Sequence, residues 1–232
     1  MDPSNPVLVL FCKEPRLGYG KQRLAASIGK RPALRIAHAL VDCALEDAAR
    51  WEGTFVISPA SDEETAWAKA LSDRSVFGGR HTRIVAQTGG NLGSRIAAVD
   101  SSLRGLGATQ IIYMGCDAPL LNNTHYEAVM HTLKNVDVVL ADGADGGVTL
   151  MASRSGWPPL DELPWSTSEL GNALTNSCAA SGRSVHRLDG GFDIDEKRDA
   201  LRLLEYLDGD MRPARQALNT VLIEEVCTSI PA

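Results

Sequence analysis

VLVLFCKEPRLGYGKQRLA, residues 7–25, is the stretch on which the fold turns. Val7 to Phe11 are five consecutive apolar residues, which suits a parallel strand covered on both faces. The loop that follows carries Gly18 and Gly20, with Lys21 and Arg23 close to the start of a helix. It is not a Walker A loop, because Pro15 stands at the first glycine position and Gln22 follows Gly20-Lys21. Nor is it a dinucleotide fingerprint, since Arg23 occupies the place of the third glycine. What remains is a strand, a glycine turn and two cations at a helix N-terminus. Glycines let backbone N–H groups approach an anion, and the helix end favours negative charge. Taken alone, the same stretch also reads as a solvated basic turn.

Outward from it, short apolar runs alternate with helical patterns. The strands expected are Val7 to Phe11, Thr54 to Ser58, 83–87, Gln110 to Met114, Asp137 to Ala141, Val148 to Ala152 and 184–188. Between them lie helices over Pro32 to Arg50, from Asp62 as N-cap, over Leu92 to Leu106, and from an Asn123 cap to about Leu133. Ser166-x-x-Glu169 is a capping-box signature for a helix to about Ala180, and further helices follow from Glu196. This alternation predicts a three-layer α/β/α sandwich with a mostly parallel sheet. One domain over 1–210 is expected. The helical tail over 211–232 either packs back on it or pairs with a second subunit in a homodimer.

Bulk properties narrow the function. The 232 residues carry a net charge of −6, and no basic stripe marks a nucleic-acid surface. No apolar run reaches the length of a membrane span, and no signal-peptide pattern opens the chain. The five cysteines are odd in number and scattered, which points to a reduced, cytoplasmic protein rather than a disulfide framework or zinc site.

Ligands of an open parallel sheet bind beyond the carboxyl ends of its strands. Glycine and acid are concentrated there: QTGGNLGSR (87–95), GCDAPLL (115–121), DGADGG (142–147) and DGGFDIDEKRD (189–199). Asp117, directly after a buried strand, is poorly solvated without a partner, and a divalent cation is the economical one. Mg2+ suits it, because that ion binds through one or two carboxylates plus substrate phosphates. Asp193 and Asp195 alternate around Ile194 and so share a side of an extended segment. Capping of the helix at Glu196 is the first reading of Asp195. His38 sits among core-facing helix residues. His81, His125, His131 and His186 make no metal spacing, and neither serine nor cysteine has a nucleophile-elbow context.

In this order the loops resemble the nucleotide-diphospho-sugar transferase (GT-A-like) superfamily. They are most similar to its bacterial glycosyltransferase-like family associated with radical-SAM and selenium systems. The pattern F-x-K-x-P-x-x-G-x-x-K-T-R-L is matched by Phe11, Lys13, Pro15, Gly18, Lys21, Arg23 and Leu24. Q-x-G-x-D-L-G-x-R is matched by Gln87, Gly89, Leu92, Gly93 and Arg95, and G-x-D-x-P by Gly115, Asp117 and Pro119. D-G-G, W-S-T and D-x-D-x-x-x-D follow at Asp145, Trp165 and Asp193. Gln22, Asn91 and Val148-Thr149 depart from the pattern, which has threonine, aspartate and an aromatic pair there. Phospholactate guanylyltransferases and molybdopterin-guanine dinucleotide synthases are similar in the same motifs.

The resemblance implies a GT-A-like fold and a nucleotide-binding transferase using Mg2+ (or Mn2+). It implies phosphate or nucleotide binding by Lys13, Gly18, Gly20, Lys21, Arg23, Gly89, Gly90, Leu92 and Gly93. Asp117 and Asp193 are the implied metal ligands, and Asp117, Asp145 and Arg95 the implied catalytic residues. The leading expectation is glycosyl transfer from a nucleotide-sugar to a small-molecule acceptor. Nucleotidyl transfer from an NTP, releasing pyrophosphate, is the alternative, and a catalytically silent nucleotide-binding protein is the third.

Overall fold

The computed structural model describes residues 5–74, 77–78 and 82–227. Expectations for His81 and for residues 1–4 and 228–232 lie outside the described residues. The strands are β1 (Val7–Cys12), β2 (Phe55–Pro59), β3 (Arg83–Ile84), β4 (Ile111–Met114), β5 (Val138–Asp142), β6 (Val148–Ser153) and β7 (Val185–Asp189). The helices are α1 (Gln22–Ile28), α2 (Lys30–Ala49), α3 (Thr65–Ser72), α4 (Leu92–Gly105), α5 (Asn123–Thr132), α6 (Leu170–Ala180), α7 (Lys197–Leu207) and α8 (Pro213–Leu222).

One seven-stranded sheet runs in the order β3-β2-β1-β4-β6-β5-β7. Every pairing is parallel except those of β6, which is antiparallel to β4 and β5. Alternate residues of β1 face opposite sides, as strand geometry requires. Leu8 and Leu10 enter a core shared with α2, α3 and α5, while Val7 and Val9 enter one shared with α4 and α6. The sheet is therefore buried between helical layers, which is why β1 and β4 read as unbroken apolar runs. The α/β class and mostly parallel sheet expected from the sequence are present.

Several boundaries differ. Asp62 opens a short 3-10 turn, Asp62–Glu64, and α3 begins only at Thr65. The third strand is confined to Arg83–Ile84, although Val85 and Gln87 still donate to Ile57 and Pro59 of β2. Asn122, not Asn123, caps α5, its Oδ1 accepting from the N–H of Thr124 at 3.0 Å. The capping box expected at Ser166 does not form. Ser166 has φ 63°, whereas an N-cap needs extended backbone, and α6 starts at Leu170. Asp195 is not the cap of α7 either. Glu196 takes that place in a reciprocal capping box with Asp199.

α8 lies along α2, and the buried Arg215 guanidinium reaches Asp47 at 2.7 Å and Glu46 at 3.1 Å.

Candidate active site

Parallel strands β1, β2, β4, β5 and β7 all end at the same edge, where antiparallel β6 begins. Two adjoining cavities open there. The larger, about 570 Å3, is lined by Lys13, Gly20, Lys21, Gln87, Gly90 and Arg95 among others. The smaller, about 350 Å3, is lined by Arg23, Asp145, Trp165, Thr167 and Asp193 among others. Asp117, Asp195, Leu92 and Ser166 border both, so the two are halves of one cleft.

The opening loop places its lysine by backbone conformation. Gly18 and Gly20 take φ of 75° and 72°, and Lys21 follows in the left-handed region at φ 45°. The turn drops the Lys21 ammonium between two carboxylates, 3.2 Å from Asp117 and 3.1 Å from Asp195. Burial alone lowers a lysine pKa, but Asp117 and Asp195 outweigh it, and Lys21 is held above its ordinary value. Two of its three donors are occupied, which leaves one for a ligand. A buried acid anchors the loop from behind: Glu64 Oε2 accepts the N–H of Glu14 at 3.0 Å and of Ala60 at 3.2 Å.

The facing acids are driven apart in proton affinity. Lys21, with help from hydrogen bonds, holds Asp117 below the usual carboxylate range despite its burial. Asp193 is pushed up to about 8, first by burial and then by the charge of Asp117. Its Oδ1 is buried with no hydrogen-bond partner. An orphaned carboxylate oxygen facing a second carboxylate is the arrangement that a divalent cation would relieve, so the donor set fits Mg2+ or Mn2+. Among the described residues no three His, Cys, Asp or Glu side chains form a cage. An ion here would complete its shell with substrate phosphates, as Mg2+ commonly does. Cys116, beside Asp117, is pushed up to about 12 by burial and by that acid, so it stays a neutral thiol rather than a nucleophile.

The shift of Asp193 makes stability depend on pH. A carboxyl whose folded pKa is raised from about 3.9 contributes fully below that value and loses its contribution as pH rises towards 8. Urea unfolding in EDTA is expected to show stability falling between pH 5 and pH 8 by on the order of 1–3 kcal/mol more than in Asp193→Asn. Equal pH slopes in the two proteins would refute the assignment.

The structure brings most of the sequence-selected residues into the cleft, but not all. Lys13, Gly20, Lys21, Gly90, Leu92 and Arg95 line the larger half; Arg23, Asp145 and Asp193 line the smaller; Asp117 borders both. Gly18, Gly89 and Gly93 are not among the lining residues. Gly93 instead packs closely, since a Cβ there would stand 2.1 Å from the Leu160 carbonyl oxygen. Asp145 Oδ1 accepts from the N–H of Gly147 at 2.9 Å and holds its own turn.

Of the departures from the resembled pattern, Asn91 lines the larger half of the cleft and Val148 and Thr149 line the smaller, while Gln22 lines neither. The Gln22 amide donates to the Gly18 carbonyl at 2.6 Å and fastens the glycine turn to α1. Asn91 caps α4 through Oδ1 and donates through Nδ2 to the Asp161 carbonyl at 2.7 Å, which an aspartate could not do. Thr149 donates to the carbonyls of Ala141 and Gly190, tying β5 to the segment leading to Asp193. Sequence reasoning missed Asp195, Ser166 and Glu64. The Glu196-x-x-Asp199 spacing was the available signal that α7 had its own cap and that Asp195 was free for Lys21.

The fold is that of nucleotide-diphospho-sugar transferase structures. A protein from Desulfovibrio desulfuricans G20, provisionally named as such a transferase, superposes with a TM-score of 0.80 at 21% identity, covering 95% of this chain and 97% of its own. The 4-diphosphocytidyl-2C-methyl-D-erythritol synthase of Anaerococcus prevotii gives 0.53 at 10% identity over 89% and 98%. A CMP:2-keto-3-deoxy-manno-octonic acid synthetase complexed with CTP gives 0.52 at 10% identity over 89% and 100%. No curated protein matches the sequence. The bacterial family DUF2064, described as an uncharacterized protein conserved in bacteria, matches residues 40–167, more than half of the chain. The chain belongs to that family.

Proposed function

We propose that this protein is a nucleotide-binding transferase working with Mg2+ or Mn2+, and that it moves a sugar from a nucleotide-sugar to a small acceptor. The observation that carries the reading is the meeting of Lys21, Asp117 and the unpartnered Asp193 in one cleft at the carboxyl edge of the sheet. The nucleotide would lie in the larger half, its phosphates against Lys13, Lys21, Arg95 and the backbone of Gly20 and Gly90. Asp117 and Asp193 would hold the cation, which when bound offsets phosphate charge. Asp145, in the smaller half, is placed to orient an acceptor hydroxyl or take its proton. Catalysis of this kind is mainly positioning and stabilisation of charge on the departing phosphate. The likeness to the Desulfovibrio protein supports this reading.

A second reading is nucleotidyl transfer with release of pyrophosphate. Three cations around the larger half favour it, because a triphosphate brings more charge to neutralise, and both smaller likenesses bear synthase or synthetase names. A thermal-shift panel of nucleotide-sugars and NTPs with MgCl2 tests the common part, and a pyrophosphate-release assay separates the two. No shift with any nucleotide would refute both. Lys21→Ala is expected to weaken Mg-nucleotide binding about 10- to 100-fold, the value of roughly 1.5–3 kcal/mol for hydrogen bonds to charged groups. Nucleoside binding should hardly change, and equal losses for nucleotide and nucleoside would remove Lys21 from the phosphate site.

A further inference from the structure

Among the described residues two non-glycine residues have a positive φ, Lys21 and Ser166, and both border this cleft. Ser166 stands at its waist, bordering both halves, as Asp117 and Asp195 do. At φ 63° it holds a conformation uncommon for serine. Hydrogen bonds hold the residues on either side of it. The Trp165 N–H donates to the Leu163 carbonyl at 2.8 Å, and the indole N–H donates to Leu160 at 2.6 Å. On the other side the Thr167 hydroxyl donates to the Pro164 carbonyl at 2.8 Å.

Two glycines then admit the whole segment. At Gly93 on α4, a Cβ would stand 2.5 Å from the Trp165 indole nitrogen, and at Gly146 it would stand 2.2 Å from the Ser168 carbonyl oxygen. Backbone held out of its preferred region by such over-determination is found at active sites and ligand clamps. The strained turn carries Ser166 to the point where the two halves meet, on the border it shares with Asp117.

We propose that the Ser166 hydroxyl donates a hydrogen bond to a phosphate oxygen of the bound nucleotide at this waist. The inference rests on the nucleotide-binding reading above and adds a ligand contact to it. The test measures binding of CTP, GTP, ATP, UTP, UDP-glucose and GDP-mannose, each with MgCl2, and of the matching nucleosides, to wild type, Ser166→Ala and Ser166→Gly. Both variants are expected to bind the preferred nucleotide about tenfold or more weakly, with nucleoside binding unchanged. Ser166→Gly should also raise the ligand-free melting temperature by roughly 2–4 °C, since glycine adopts a positive φ without strain. That split between a more stable free protein and weaker nucleotide binding is what a purely structural serine would not produce. Wild-type affinity in either variant overturns the proposal and leaves the transferase reading standing. If the wild type binds none of the six nucleotides, both fall.

Discussion

Replacing Asp117 with alanine is expected to abolish the Mg2+-dependent stabilisation that a nucleotide confers on this protein. A ligand at one hundred times its Kd stabilises by about 2.7 kcal/mol, which for a domain of this size is a melting shift of roughly 5–10 °C. In the variant that shift should fall to the level seen with nucleotide in EDTA. The effect is large because Asp117 would serve two positive partners. It is one of the two carboxylates proposed to hold the cation, and it is one of the two that anchor Lys21. Its own charge is secured by Lys21, which holds its pKa low, whereas Asp193 is pushed up to about 8. Near neutral pH Asp117 is therefore the ionised member of the pair before any ligand arrives. Asp117→Asn distinguishes charge from volume: the amide keeps the space, so it should lose the Mg2+ dependence as fully as alanine does. If either variant keeps the full Mg2+-dependent shift, the metal assignment is wrong.

Much of the fold was legible because it depends on short-range pattern. Val7–Phe11 is apolar throughout since both of its faces are covered, and no partially exposed strand would show that run. The acids at 117, 145 and 193 were legible because each follows a strand, and parallel strands deliver their ends to one edge. What escaped depends on contacts between segments far apart in the chain. Asp195 looked like a cap because aspartate caps helices well. Glu196 and Asp199 cap α7 reciprocally, and Asp195 answers a lysine 174 residues away. Ser166 looked like the start of a capping box, but it takes a φ of 63°, in a segment whose flanking Trp165 and Ser168 fit only because Gly93 and Gly146, on other elements, leave them room. Glu64 carried no motif, and its role is visible only where β2 and the opening loop meet. The third strand was overestimated because its apolar run continues past the last ladder residue, Ile84, on an edge with no further partner strand among the described residues.

The tail supplies the largest expected loss of stability. Arg215 is 1% exposed, and its guanidinium reaches Asp47 and Glu46 together with the carbonyls of Cys43, Pro119 and Leu121. Arg215→Ala would leave Asp47 buried with Arg212, 3.4 Å from its other oxygen, as the nearest cation among the described residues and the Tyr126 hydroxyl donating at 3.4 Å. Removing one partner of a buried pair costs roughly 3–5 kcal/mol. Burial already raises the pKa of Asp47 against the pull of Arg215, so the variant should recover part of the loss at low pH, where Asp47 is protonated. Lysine cannot reproduce the fork that spans carboxylate and carbonyls, so Arg215→Lys should also be destabilised, though less. The double variant Arg215→Met with Asp47→Asn removes both charges and should be far less destabilised than Arg215→Ala. Two of the lost carbonyl partners, at Pro119 and Leu121, belong to the segment that begins with Asp117. The same variants are therefore expected to weaken Mg2+-dependent nucleotide stabilisation without touching the cleft. Urea unfolding at pH 5 and pH 7.5 checks the first effect, and the thermal-shift assay checks the second. A loss below about 1 kcal/mol for Arg215→Ala, within the range of surface substitutions and neutral hydrogen bonds, would show that the tail is only loosely seated on α2.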